Sequence, residues 1–170
     1  ISACLVGSEM CIRDSHHTVA IGTWEGDKQQ SIEYNSSIAV GIDCPRAKLR
    51  VSILLDTIQE YQVRYIFSDE EISEAVNEAG LIIGARGIAY EGVLQRKPVI
   101  VVGEYGFGGL VTPDTLHEQY NNYFRGKING IKAEYFSLER LEEEIRRGFA
   151  LTFQELQMMS NQTIRFLHNI

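Results

Sequence analysis

Apolar positions recur along this chain in two rhythms, as short continuous runs of three to five residues and as helical stripes between them. Thr18 to Thr23 reads as a strand leading into a loop, Trp24 to Lys28. Ser31 to Asp43 fits no single period, since turn residues surround the apolar Ile38-Ala39-Val40. Pro45 suits the first position of a helix, and Leu49, Ile53, Ile58 and Tyr61 are expected to form its buried face. Val63 to Phe67 is strand-like. Ser68-Asp69-Glu70-Glu71 predicts a capped helix with the stripe Ile72, Ala75, Val76 and Ala79, ended by Gly80. A strand from Leu81, a helix over Ile88–Arg96 and a strand over Pro98–Val102 follow. Thr112-Pro113 predicts a further helix start, and Ile131 to Phe136 a last short strand. Ser137 caps a helix carrying Leu138, Leu141 and Ile145. Glu142/Arg146 and Glu143/Arg147 are i,i+4 pairs expected on its wet face. Thr152 to Glu155 reads as a capping box for a final helix to about His168. Strands alternating with helices predict an α/β fold, a parallel sheet flanked by helices on both faces, with ligands beyond the carboxyl ends of the strands.

The first fifteen residues stand outside this rhythm. ISACLVGSEMCIRDS has neither the basic start nor the continuous apolar core of a secretory leader. Leu5 to Ser15 resembles a sequencing-library transposon tag read in frame, so residues 1–15 are set aside and residues 16–170 are taken as one domain. On that division Cys4 and Cys11 belong to the tag and only Cys44 remains. One thiol makes no internal disulfide, and no Cys/His cluster has metal-ligand spacing, so no metal site is expected. The adjacent His16 and His17 lack a third ligand nearby. A net charge of −7 argues against a nucleic-acid partner, which needs clustered Lys and Arg, but is compatible with a small anionic ligand held by a few local donors. No run of eighteen apolar residues is present, so no transmembrane segment is expected. Low cysteine usage suggests the cytoplasm, either free there or peripheral at the membrane.

The segment Leu81 to Leu116 carries most of the candidate chemistry. An apolar run meets the glycine-bounded turn Gly84-Ala85-Arg86-Gly87, which opens the Ile88–Arg96 helix with Glu91 one turn in. A second apolar run then leads into Gly103, Gly106, Gly108 and Gly109. A strand, a glycine turn and a helix start together form a phosphate-binding geometry, because backbone N–H groups and the positive helix end point one way. Arg86 offers a planar fork to a diphosphate, and Glu91 can accept hydrogen bonds from a ribose. Glu104 is a candidate for sugar hydroxyls, Tyr105 or Phe107 for stacking on a base, and Lys28 for a phosphate. Each has a plainer reading. The glycines can be turn and packing residues, Arg86 and Lys28 solvated cations, the aromatic rings core, and Glu91 a favourable charge near a helix start.

Glu91 followed by Pro98 in EGVLQRKPVI resembles the donor-site signature of GT-B glycosyltransferases, roughly E-A-hydrophobic-A-x-G-x-P-V-I. GFGGLVTP at 106–113 is similar to a loop of the group 1, family 4-like branch. The resemblance covers Ala79 to Asn122. It implies that residues 16–170 are the Rossmann-like, nucleotide-sugar-binding, C-terminal half of a two-domain enzyme. The acceptor-binding N-terminal half and any catalytic base would lie upstream. The donor substrate would be a nucleoside-diphosphate sugar, and a glycan or lipid-linked acceptor would reach it through the other half. No cofactor and no obligatory metal are implied. Glu91 would bind the ribose, Gly84 to Gly87 would face the diphosphate, and Gly103 to Gly109 would line the sugar. Lys28 would match the basic residue that follows the first strand of this half. The final helix would cross back to the other half, leaving Leu156, Met159, Phe166 and Leu167 exposed. Two positions depart from the pattern: Ile83 stands where many retaining members carry a Glu, and Arg96 or Lys97 where a glycine is usual. A nucleotide-sugar epimerase half and a non-catalytic small-ligand or partner-binding domain are the alternatives. No G-x-G-x-x-G follows the first strand, which disfavours an NAD dehydrogenase.

Overall fold

A computed structural model describes residues 18–25, 28–127 and 130–168, with side chains from Ser36 onward. The tag-like segment 1–15, with Cys4 and Cys11, and the pair His16-His17 lie outside the described residues. Strand β1 (Thr18–Glu25) pairs antiparallel with β2 (Lys28–Asn35), in register from Thr18↔Asn35 to Glu25↔Lys28. The expected first strand of the parallel sheet is therefore half of a separate hairpin.

The main sheet has the order β4-β3-β5-β6-β7, built from β3 (Ser37–Gly41), β4 (Gln62–Tyr65), β5 (Leu81–Gly84), β6 (Val99–Gly103) and β7 (Gly106–Leu110). The first four are parallel and β7 runs antiparallel to β6. The helices are α1 (Pro45–Ile58), α2 (Ile72–Glu78, after a 3₁₀ turn at Asp69–Glu71), α3 (Gly87–Leu94), α4 (Leu116–Asn121), α5 (Leu138–Phe149) and α6 (Phe153–His168). This is the α/β architecture that the periodicity predicts, a mostly parallel sheet flanked by helices and Rossmann-like as the resemblance implies. Alternate strand residues feed two cores. Ile38, Val40, Leu81, Ile83, Ile100 and Val102 pack with Val51 and Leu54 of α1 and with Leu141 and Ile145 of α5. Ala39, Ile82, Val99 and Val101 pack with α2, α3 and Met159 of α6. Covering both faces is why these strands read as continuous apolar runs.

Only part of the face expected on helix α1 turns inward: Ile58 and, just past the helix, Tyr61 pack partly buried against the core. Ala47, Val51, Leu54 and Leu55 are buried, whereas Leu49 and Ile53 are 61% and 50% exposed. The buried stripe runs unbroken at i, i+4, i+7 and i+8, whereas Leu49–Ile53 meets Asp56 and Thr57 one turn on. Likewise Met159 is buried and Leu156 and Phe166 are partly buried. On α6 the exposed apolar residues are Phe153, Met158, Ile164 and Leu167. Helix α4 starts later than Thr112, because the Thr112 and Thr115 hydroxyls and backbones bond each other in a turn. Residues 131–136 form turns and no strand. Ile131 contributes one ladder-like bond, from Phe107 N–H at 2.8 Å, before the chain turns at Lys132–Tyr135. The caps at Ser137 and Thr152–Glu155 form as expected, the latter reciprocally, with bonds of 2.9 and 3.1 Å.

On α5 the expected i,i+4 pairs are replaced. Arg146 pairs with Glu143, while Arg140 and Arg147 both pair with Glu144. The cause is a buried demand: Glu144 turns inward and accepts Leu110 N–H at 2.6 Å. Other β7 groups also find partners outside the ladder. Gln119 Nε2 donates to Gly108 O at 2.8 Å, and Thr115 Oγ1 donates to Leu110 O at 3.2 Å. Among the described residues, no helix is long and apolar enough to cross a membrane.

Candidate functional site at the carboxyl edge of the sheet

Strand β3 leads to β4 on one side, and β5 leads to β6 on the other. The chain therefore diverges between the carboxyl ends of β3 and β5, the place where open α/β sheets bind ligands. Gly41 and Gly84 pair there. A Cβ on Gly84 would lie 2.5 Å from Gly41 O and 2.6 Å from Ile88 Cγ2. These glycines let the first turn of α3 settle onto the strand ends, with the buried Ile88 flooring the crevice. Gly84 thus serves helix–strand packing. Gly87 is less crowded: an added Cβ would meet only Ile72 Cδ1, at 3.8 Å.

Between them, Ala85 and Arg86 make a sharp turn. Arg86 sits at φ 58°, ψ −123°, and no side chain caps α3. A residue with a Cβ holds such a backbone only at a cost. The turn is fixed by two bonds: Arg86 N–H to Phe124 O at 3.0 Å, and Tyr90 N–H to Arg86 O at 2.9 Å. The first-turn N–H groups of α3 and the positive end of its dipole therefore open at the sheet's carboxyl edge.

Gly87, Glu91 and Gln95 share one stripe of α3 by their four-residue spacing. Gln95 Nε2 donates to Glu91 Oε2 at 2.6 Å and to Ser73 O of α2 at 3.3 Å, so this stripe faces the start of α2. On the same edge, Phe67 leaves β4 with its ring 77% exposed, and Lys48 Nζ lies 4.2 Å from the ring centre. Neither Phe67 nor Lys48 is a candidate in the sequence reading; the one local signal is an aromatic residue at the carboxyl end of a predicted strand.

The Arg86 guanidinium is ion-paired with Glu104, which projects from the turn joining β6 to β7. Both side chains are about half exposed. Such a pair is worth at most about 1 kcal/mol. Beside it lies Arg125, another residue absent from the sequence candidates. Arg125 Nη1 donates to the Tyr105 hydroxyl at 3.2 Å, and its guanidinium lies 5.8 Å from the Tyr105 ring centre and 5.4 Å from that of Tyr123. The hydrogen bond to Tyr105, and then the nearby Glu104 carboxylate, raise the Arg125 pKa above its ordinary value. Its Nε is buried without a hydrogen-bond partner.

The other predicted glycines point elsewhere. Gly106, Gly108 and Gly109 belong to β7 and are not an open loop. Cβ atoms there would lie 2.7 Å from Ile131 O, 2.9 Å from Gln119 Oε1 and 3.0 Å from Glu144 Oε1, respectively. Their lack of side chains is used by internal packing. Phe107 stacks on Phe136 at 4.6 Å in the core, so Tyr105 is the partly exposed ring of the two. Lys28 opens β2 opposite Glu25 and does not follow a strand of the five-stranded sheet. The structure therefore gathers Ala85, Arg86 and Gly87 at one turn, with Glu104 reaching Arg86 from the β6–β7 turn, Glu91 one helical turn on and Gly84 beneath.

Two departures from the donor-site pattern also have structural counterparts. Ile83 is fully buried in the sheet. Arg96 adopts φ 60° after α3, where Arg96 N–H bonds Val93 O and Lys97 N–H bonds Gly92 O. These two bonds define a Schellman ending, whose left-handed position usually holds glycine. No protein-family model, curated protein or solved structure matches this chain.

Proposed function

We propose that this chain is the nucleotide-sugar-binding half of a GT-B glycosyltransferase, which transfers a sugar from a nucleoside-diphosphate donor to a hydroxyl acceptor held by a second half. The observation that carries the reading is the β5–α3 turn. It brings Arg86 and the uncapped first turn of α3 to the point where the sheet diverges, with Glu91 on the stripe facing α2. The left-handed Arg96 also supports the resemblance, because that position is the glycine of the family pattern.

In this reading the diphosphate lies against the first turn of α3. Its charge grows as the glycosidic bond breaks, and the N–H groups and Arg86 stabilise it. Glu91 accepts hydrogen bonds from the ribose and takes no proton. Phe67 offers a face on which a base can stack. The catalytic base and the acceptor site belong to the other half, so this chain alone binds donor nucleotide and transfers nothing.

Calorimetric titration with UDP, GDP and ADP tests the proposal. One base is expected to bind preferentially. Glu91→Ala is expected to weaken it roughly ten- to a hundred-fold, the loss of a charge-assisted hydrogen bond. Folded protein that binds none of the three, or that ignores Glu91→Ala, would leave the partner-binding reading in its place.

A further inference from the structure

A carboxylate and a phosphate oxygen compete for the same planar guanidinium fork. Glu104 already holds the fork of Arg86, and the two residues come from different turns, β6–β7 and β5–α3. They can separate without breaking a strand ladder. The backbone beside Glu104 stays anchored, since Tyr105 N–H bonds Arg125 O at 2.9 Å. Half exposure of both side chains lets water take over each group as they part. Arg125 also stands close enough to the same carboxylate for the Glu104 charge to act on it.

We propose that Glu104 is a built-in competitor for the anion site: its carboxylate holds Arg86 until a diphosphate-bearing ligand displaces it. This rests on the nucleotide-binding reading above and adds to it a residue that sets how tightly the diphosphate is held. Glu104 then weakens anion binding and makes no contact with the sugar. The chemistry recognised is the diphosphate, carried by a nucleoside or presented as free inorganic pyrophosphate.

The test is calorimetry on the full chain with pyrophosphate and, separately, with UDP, GDP and ADP. The proteins are the wild type, Glu104→Gln, Arg86→Gln and the double variant, each with its fold checked by circular dichroism. Glu104→Gln is expected to bind pyrophosphate about two- to fivefold more tightly, the release of one half-exposed ion pair. Arg86→Gln is expected to weaken pyrophosphate and nucleoside diphosphate alike, and to abolish the gain from Glu104→Gln. If ligands bind the wild type but Glu104→Gln leaves pyrophosphate affinity unchanged or lower, the competitor role is overturned and the nucleotide site stands. If no variant binds either ligand, both fall together.

Discussion

Glu144 and Leu110 lie 34 positions apart, yet Glu144 Oε1 accepts the Leu110 N–H at 2.6 Å. The second carboxylate oxygen takes Arg147 at 2.9 Å and Arg140 at 3.4 Å. One nearly buried side chain thereby fastens α5 to β7. Glu144→Ala strands the buried Leu110 N–H and releases two half-exposed guanidiniums to water, and is expected to cost about 1–3 kcal/mol. Urea unfolding would read this as a lower midpoint at unchanged slope. Diphosphate affinity should stay put, since the bond lies away from the β5–α3 turn.

Gly84 has a neighbour that cannot move aside. Its hypothetical Cβ would meet the backbone oxygen of Gly41 as well as Ile88. Gly84→Ala is expected to destabilise by about 1–3 kcal/mol through overpacking. Adding Ile88→Ala should not restore the loss, because the carbonyl contact persists. Full recovery in the double variant, measured by thermal unfolding, would place the whole clash on Ile88.

At Arg96 a side chain sits in a left-handed backbone at φ 60°. The cost for a residue with a Cβ is about 1–2 kcal/mol, partly offset by the greater freedom glycine has when unfolded. Arg96→Gly is therefore expected to raise stability by about 0.5–1 kcal/mol in denaturant titrations. A fall would mean that the Arg96 side chain makes a contact worth more than the backbone strain.

Burial, and then the Tyr120 and Tyr123 phenols, raise the Tyr90 pKa, with Arg125 opposing. The fold therefore favours the neutral phenol. Its contribution to stability is complete below the unfolded value of about 10 and is lost as pH rises through the higher folded value. Tyr90→Phe should flatten the decline in stability as pH rises above about 10. Equal declines in both proteins would remove Tyr90 as a cause.

The features legible in the sequence are those whose signal lies within a few residues. Leu81–Ile83 and Val99–Val102 announce doubly covered strands by being apolar throughout, and Thr152 and Glu155 announce their own reciprocal cap. Choices between distant partners are not written locally. Helix α1 is an intermediate case: it carries two apolar stripes, and only the greater length of the one through Val51 marks it as the one that goes in while Ile53 stays out. Strand β1 looks like any other strand until β2 claims it. The glycines of β7 do not name their neighbours, and the groups that approach them are Ile131, Gln119 and Glu144 of this same chain. At the candidate site, Gly84 to Glu91 is one contiguous motif and could be read as such. Arg125 joins it only because the Tyr123–Gly126 segment folds back over the β6–β7 turn.

The bonding at β7 also decides how this protein can assemble. Phe107 N–H, Gly108 O, Leu110 N–H and Leu110 O are committed to Ile131, Gln119, Glu144 and Thr115. A visiting strand would find no row of donors and acceptors on that flank, so edge-to-edge aggregation is blocked there by side chains. The opposite flank, β4, carries Arg64, itself held by Glu71, Glu74 and Glu78. A charged residue on an edge strand is a common guard against the same hazard. The sheet is thus finished at one end by occupation and defended at the other by charge, and a polypeptide that lengthens it would have to do so beside β4.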